Sequence, residues 1–154
     1  MPMLTSSPSL LLAREQVIDR LNTLFISTDS RDWAGVRSCF APTVHFDMTS
    51  LAGGEPVILT PEAIALAWEQ GLASIEGVHH QAGNYRVSLD GEEANAFCYG
   101  IAMHYRPTRS GRNTRTFVGT YELKLRVIGG EWRITSFRFN LKFLDGNIEL
   151  EKEP

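Results

Sequence analysis

The sequence predicts an α+β fold in which helices come first and long antiparallel strands follow. Two observations predict it. Apolar residues recur at three- and four-residue steps in the first half of the chain and at every second residue in the second half, where short glycine-containing loops separate the strand candidates. This order is typical of one bent sheet whose concave face is covered by helices. A chain of 154 residues has the length of one domain.

Three helices are predicted, all in the first half. The first is amphipathic and ends in the cluster Thr28-Asp29-Ser30, the second is capped by Ser30 or Asp32 and closed by Ala41-Pro42, and the third opens with a Thr60 cap followed by Pro61. Their predicted spans are 9–28, 33–40 and 60 to 71 or 72.

Strand candidates follow from alternation and from the turns between them. They span 44–49, 78–89, 93–106, 115–128 and 131–143, with a short apolar segment at 57–59. We interpret residues 1–8 as a flexible arm, 9–144 as a single domain and 145–154 as an acidic tail.

Charge and cysteine usage exclude several classes of function. The net charge is −3, and there is no run of five Lys or Arg residues. The sequence therefore offers no cluster of positive charge for binding nucleic acid or an anionic membrane. Cys39 and Cys98 are isolated, which argues against a disulfide framework or a zinc site and favours a reducing, cytoplasmic setting. No apolar run approaches the ~20 residues of a membrane span, and the first residues lack the pattern of a secretory signal.

Histidines are the candidate groups for proton transfer, because imidazole titrates near neutrality. His45 shares a strand face with Asp47, and the alternation predicts that this face points to solvent. His79 and His80 are adjacent, so at most one of them can enter a cavity on the concave face, and alternation alone does not decide which.

The strand candidate 93–106 has two unlike faces. Small residues and His104 form one face, which leaves room for a covering helix or a ligand. His104 itself is either a pocket residue or a hydrogen-bonded histidine at a strand end. The other face is large and apolar, and it predicts a subunit interface in a homodimer or homotrimer. Its residues are Phe97, Tyr99, Ile101, Met103 and Tyr105.

Asp29 is the carboxylate of most interest. It lies at the end of the first predicted helix, where the helix dipole disfavours an anion. It is either a functional carboxylate or a turn and cap residue for the next helix, and both interpretations stay open on these residues alone.

These residues resemble scytalone dehydratase and the wider SnoaL-like group of the nuclear transport factor 2-like superfamily. The resemblance covers about residues 9–143. It rests on Asp29-Ser30-Arg31-Asp32-Trp33, Arg37, Cys39, Ala41-Pro42-Thr43, Asp47, His80 and Gly130-Glu131-Trp132-Arg133-Ile134. The implied fold is a cone: a curved, mostly antiparallel sheet and three N-terminal helices that together enclose a pocket.

The resemblance also implies a site. An aspartate at the end of the first helix orients a histidine on the third strand, which assigns the catalytic roles to Asp29 and His80; His104 would be a second pocket histidine. The dehydratase has two tyrosines where this chain has Thr28 and Met48, so the resemblance implies that the water site formed by those phenols is lost here. The remaining positions implied to contact substrate are Trp68, Tyr121, Phe137 and Phe139, with Tyr121 either a hydroxyl donor or a packed strand tyrosine.

Two classes of function remain. The favoured one is an enzyme without cofactor or metal, a lyase or isomerase most like a dehydratase, that acts on a small, largely apolar aromatic, polyketide or terpenoid-like substrate by His–Asp acid–base chemistry. The alternative is a noncatalytic small-molecule-binding or assembly protein, or the small subunit of a ring-hydroxylating oxygenase. Epoxide hydrolysis or polyketide cyclisation on this scaffold would be marked by an Asp–Arg–Asp set, and no convincing set is found in the strands.

Overall fold

The computed structural model describes residues 7–154 as helices packed on a single sheet. The helices are α1 (Pro8–Asp29), α2 (Trp33–Ser38), α3 (Thr49–Ala52) and α4 (Pro61–Gly71). The strands are β1 (Phe40–Asp47), β2 (Val57–Leu59), β3 (Gly77–Asp90), β4 (Glu93–Tyr105), β5 (Thr114–Ile128) and β6 (Glu131–Gly146).

The six strands form one sheet in the order β2-β1-β6-β5-β4-β3. β1 and β6 are parallel, and every other neighbouring pair is antiparallel. α1 packs against β3 and β6, while α4 packs against α2 and β1. The predicted α+β class is confirmed, with helices on one face of a curved, mostly antiparallel sheet.

α1 forms because its start is capped and its apolar stripe is buried. Ser7 accepts a hydrogen bond from the Leu10 N–H, and Pro8 occupies the first turn, where its missing N–H costs nothing. The buried stripe runs along one side at helical spacing: Val17, Leu21, Leu24 and Phe25. The helix ends at Asp29, just before Arg31 takes a positive φ of 58°. Asp29 is thereby fixed at the edge of the core.

The second predicted helix is shorter than expected. Asp32 caps it by accepting the Gly35 N–H at 2.9 Å, and the helix ends at Ser38. Ala41-Pro42 does not close that helix as predicted but lies inside β1. Pro42 is tolerated there because the β1–β6 pairing is interrupted between Phe40 and His45, so no ladder N–H is needed from it. The short helix α3 was not predicted.

A bulge in β3 changes which side chains face inward. Pairing with β4 is interrupted between Gly83 and Arg86, and Asn84 takes a positive φ of 54°. Strict alternation along β3 would place Tyr85 on the same face as the exposed His79, and the bulge reverses this. Beyond the bulge, Tyr85 packs against the core and donates a 2.6 Å hydrogen bond to Asn22 of α1.

The structure describes the C-terminal end of the chain in full and the N-terminal end only from residue 7. Residues 1–6 of the predicted arm lie outside the described residues. At the other end β6 continues to Gly146, and the following segment, residues 147–154, folds back on the domain. Leu150 is fully buried, and Arg106 donates to the carbonyls of Leu150 at 2.8 Å and of Glu153 at 2.5 Å. The predicted acidic tail is therefore packed.

Within residues 7–154, none of the helices combines the length and apolarity that crossing a bilayer would require.

Candidate active site

A cavity of about 440 Å³ lies between the helices and the concave face of the sheet. Aromatic and aliphatic side chains line most of it, and a few polar groups reach its wall. Such a lining is typical of a small-molecule site, in which apolar surface supplies binding and a few polar groups set orientation. The polar side chains on the wall belong to Thr28, His80, His104, Arg115 and Tyr121.

Asp29 and His80 form a close pair at this wall. The Asp29 Oδ1 lies 2.6 Å from the His80 Nδ1, and its Oδ2 accepts the His80 backbone N–H at 2.8 Å. Both carboxylate oxygens therefore hold the same residue, one through its ring and one through its main chain. The two side chains are about four-fifths or more buried, with 20% and 15% of their surfaces exposed.

This geometry determines what His80 can do. A carboxylate accepts from Nδ1–H, so the neutral ring carries its lone pair on Nε2. Phe25 stacks on the imidazole with centroids 5.7 Å apart and planes inclined by 19°, which fixes the ring plane. His80 is thus oriented as a base toward a largely apolar cavity.

His104 lies on the same wall and has a different partner. Arg115 donates from Nη2 to the His104 Nδ1 at 3.1 Å, and the His104 ring packs on Phe117 with centroids 5.2 Å apart. Burial, and then the positive charge of Arg115, lower the pKa of His104 to about 4. The imidazole is neutral at ordinary pH.

Tyr121 occupies space that a glycine leaves open. A Cβ on Gly100 of β4 would lie 2.1 Å from the Tyr121 Cε2, so only glycine permits this ring position. Phe25 and Phe139 each pack on the ring with centroids 4.9 Å apart. Burial raises the pKa of Tyr121 far above its usual range, and no side chain within residues 7–154 forms a hydrogen bond with its hydroxyl. It remains a neutral donor or acceptor for a ligand.

An aromatic cluster closes the other side of the cavity. Trp68 of α4 lies 5.7 Å from Phe137, centroid to centroid, and Phe46 stacks on Phe137 at 5.4 Å. Trp68 and Phe137 line the cavity, and aromatic surfaces of this kind suit a planar unsaturated ligand.

The structure brings together the side chains that the sequence singled out. Of the nine candidate residues, His80 and seven others line the cavity, and the ninth, Asp29, is hydrogen-bonded to His80. Their functional roles remain predictions. The lining residues among them are Thr28, Met48, Trp68, His104, Tyr121, Phe137 and Phe139.

For two alternatives that the sequence left open, the structure shows where the side chains lie. His79 is exposed while His80 faces the cavity, and Asp29 binds His80, whereas Asp32 caps the next helix. His45 is exposed, as its alternation predicted. The Thr28 hydroxyl donates to the Leu24 carbonyl at 2.8 Å, so it is already engaged within its own helix.

Sequence reasoning missed Arg115, Phe25 and Ile148 as cavity residues. A signal for Arg115 was present, because it shares strand alternation with Phe117 and Tyr121. Ile148 belongs to the segment interpreted as a tail, and nothing local indicated that this segment returns to the cavity. Across residues 7–154, no three His, Cys, Asp or Glu side chains gather as metal ligands.

Comparison with known proteins agrees with this architecture. The family model of the SnoaL-like domain matches residues 9–138. The Kfla4162 protein of Kribbella flavida has a similar structure, with a TM-score of 0.85 and 18% identity over 90% of this chain and 96% of that one.

Two proteins of Novosphingobium aromaticivorans are similar as well. One is provisionally assigned as an aromatic ring hydroxylase (TM-score 0.76, 21% identity, 90% of this chain and 95% of that one), the other as a scytalone dehydratase (TM-score 0.78, 14% identity, 89% of each). Identities this low show the fold alone. No curated protein sequence matches the chain. The family match confirms the predicted resemblance, and the solved structures share the fold: the chain belongs to the SnoaL-like family.

Proposed function

We propose that this protein is a cofactor-independent lyase or isomerase in which His80, oriented by Asp29, moves a proton on a small, largely apolar substrate. The observation that carries the proposal is the Asp29–His80 pair, 2.6 Å apart, at the wall of an apolar cavity. A dehydratase reaction is the form of this chemistry that we favour, and the similarity to a provisionally assigned scytalone dehydratase supports it.

The proposed step is an elimination next to a carbonyl. The His80 Nε2 takes a proton from the carbon adjacent to the carbonyl, and the C–H electron pair forms the new C=C bond as the β-hydroxyl leaves. The imidazolium then returns its proton to the departing hydroxide, so one water is released and no electrons are gained or lost. Asp29 stabilises the imidazolium while the proton is held there.

Isomerisation uses the same groups without a leaving hydroxyl. The proton that His80 removes from one carbon is delivered to another, and the choice between the two outcomes depends on the substrate. The aromatic wall formed by Trp68, Phe137 and Phe139 supports an aromatic, polyketide or terpenoid-like skeleton in both cases.

The test detects proton abstraction before the natural substrate is known. Bicyclic aromatic ketones and their β-hydroxy derivatives, scytalone among them, are incubated with the protein in D₂O, and NMR follows loss of the α-proton signal and appearance of alkene signals. We expect exchange or water loss for the wild type. His80→Gln and Asp29→Asn should each slow it by at least about 100-fold, the usual scale for losing an acid–base group.

His79→Gln is the matched control, because His79 is the exposed neighbour of His80 on the same strand. It should retain wild-type exchange. Exchange that is unchanged in His80→Gln, or absent from the wild type across the whole panel, would contradict the enzyme proposal.

A second candidate is a noncatalytic binding or assembly protein, including an oxygenase small subunit. One observation favours it: the outward face of β4 exposes a row of large apolar side chains, Tyr99, Ile101, Met103 and Tyr105, each more than 40% exposed. The provisional ring hydroxylase among the similar structures agrees with it. The same row supports the proposed homodimer or homotrimer.

Native mass spectrometry separates these cases. A homodimer or homotrimer that Tyr99→Lys dissociates supports self-association through this row. A wild-type monomer contradicts it, and a stable complex with an iron-bearing chain would favour the oxygenase subunit.

A further inference from the structure

The cavity has a second polar group, separate from Asp29 and His80. It is built by His104 of β4, Arg115 of β5 and Glu151 of the C-terminal segment. Arg115 donates from Nη2 to the His104 Nδ1 and from Nη1 to the Glu151 carboxylate and, at 3.4 Å, to the Ile148 carbonyl. Its side chain is nine-tenths buried. We call this set the His104–Arg115–Glu151 cluster.

The cluster fixes the tautomer of His104. A guanidinium group only donates hydrogen bonds, so the His104 Nδ1 facing it must be the accepting nitrogen. A neutral ring then carries its proton on Nε2. Within the part of the chain that is described, Nε2 has no hydrogen-bond partner, and it is not among the buried polar atoms that lack one. It is therefore accessible to a ligand from the cavity that His104 lines.

His80 and His104 are close neighbours with opposite roles. His80 pairs with Ala102 across β3 and β4, and His104 lies two residues further along β4. Such diagonal neighbours have backbones about 7–8 Å apart on one face of an antiparallel pair. One ring offers a lone pair at Nε2 and the other offers an N–H at Nε2, both at the wall of one cavity.

We propose that His104 is the hydrogen-bond donor of the site, presenting Nε2–H to a carbonyl oxygen of the substrate, and that Arg115 is the positioning residue that fixes this tautomer. The proposal rests on the proposed function and narrows its substrate class to compounds whose carbonyl oxygen and acidic C–H can reach His104 and His80 together. As the proton leaves, negative charge grows on that oxygen. A fixed donor there contributes on the order of 100- to 1,000-fold in rate.

Glu151 makes the C-terminal segment part of this site. It neutralises the buried Arg115 charge and holds the guanidinium against His104, while the segment itself is anchored by the buried Leu150. Loss of Glu151 leaves Arg115 free to turn toward solvent or toward the ligand. The tautomer of His104 therefore depends on residues outside the strands that form the cone.

The experiment compares 1-tetralone with tetralin, two bicyclic compounds of nearly the same shape that differ in one carbonyl oxygen. Isothermal titration calorimetry measures both affinities. We expect the wild type to bind the ketone more tightly than tetralin. In His104→Phe the ratio of the two affinities should fall about tenfold. Arg115→Met should show a similar loss, and Arg115→Lys, which still donates, should retain part of the preference. His79→Phe is the matched control on the exposed side of β3 and should behave as wild type.

Long-range ¹H–¹⁵N NMR supplies a readout that a merely structural role would not move. It should show His104 protonated on Nε2 in the wild type and in Arg115→Lys, and a mixed or exchanged tautomer in Arg115→Met. A wild type without ketone preference, an unchanged preference in His104→Phe, or protonation of His104 on Nδ1 would each overturn the proposal.

The outcomes also separate this proposal from the proposed function. A ketone preference without proton exchange in any substrate would support His104 as the hydrogen-bond donor and contradict the proposed lyase or isomerase function. Proton exchange that depends on His80 but not on His104, without a ketone preference, would support the proposed function and contradict the role of His104 as donor.

Discussion

Lowering the pH is expected to destabilise the protein through His104. Burial lowers the pKa of this imidazole to about 4, with the charge of Arg115 and the neighbouring His80 acting in the same direction, while Glu151 and Asp29 oppose them. In the unfolded chain the pKa returns to about 6.5. The unfolded state therefore binds a proton first as the pH falls.

The sign and size of the effect follow from this difference. The contribution of neutral His104 to stability is fully present above pH 6.5 and is lost as the pH falls from 6.5 through 4. Between pH 7.5 and pH 5 the loss is about 2 kcal/mol. This is a large fraction of the stability of an ordinary domain.

Urea unfolding at the two pH values measures the effect directly. The free energy of unfolding of the wild type should fall by about 2 kcal/mol more than that of His104→Gln, which cannot titrate. His79→Gln, an exposed neighbour, should keep the wild-type pH dependence. An identical pH dependence in the wild type and His104→Gln would refute the view that His104 is neutral and buried.

Other substitutions test the packing around the site. Gly100→Ala places a Cβ 2.1 Å from the Tyr121 ring, which neighbouring aromatic rings hold, so we expect a loss of about 1–3 kcal/mol in urea unfolding. Gly83→Ala on β3 meets open space and should change stability by less than about 1 kcal/mol; a comparable loss there would show that the Tyr121 contact is not the cause. Leu150→Ala should cost about 2–5 kcal/mol because this side chain is fully buried, and a loss under about 0.5 kcal/mol would show that the C-terminal segment does not pack as described.

Local patterns sufficed for much of the fold. The alternation of β4 correctly placed Ala102 inward and Tyr99 outward, because the period of a strand is independent of what packs on it. The Thr60 cap and Pro61 likewise located the start of α4. These signals lie within a few residues of the elements that they define.

The structure differs from the sequence-based predictions where contacts between residues distant in the sequence determine the local conformation. The bulge at Asn84 turns Tyr85 inward toward Asn22 of α1, and no alternation rule contains that shift. Pro42 suggested a helix end, yet it enters β1 where the ladder has a gap set by pairing with β6.

The same limit applies to the candidate site. Asp29 and His80 are 51 residues apart in the chain, and only the family resemblance connected them before the structure was known. Arg115 and Glu151 are 36 residues apart, and nothing in the acidic C-terminal sequence indicates which cation it meets. Local sequence defines elements, whereas the closure of the cone brings these pairs together.

The central claim is that Asp29 holds His80 as a base with its lone pair on Nε2, directed to the cavity. Long-range ¹H–¹⁵N NMR of the wild type, at a pH where the imidazole is neutral, tests this most directly. The structure predicts that His80 is protonated on Nδ1, the nitrogen 2.6 Å from the Asp29 carboxylate. Protonation on Nε2 instead would contradict the assignment of His80 as the base.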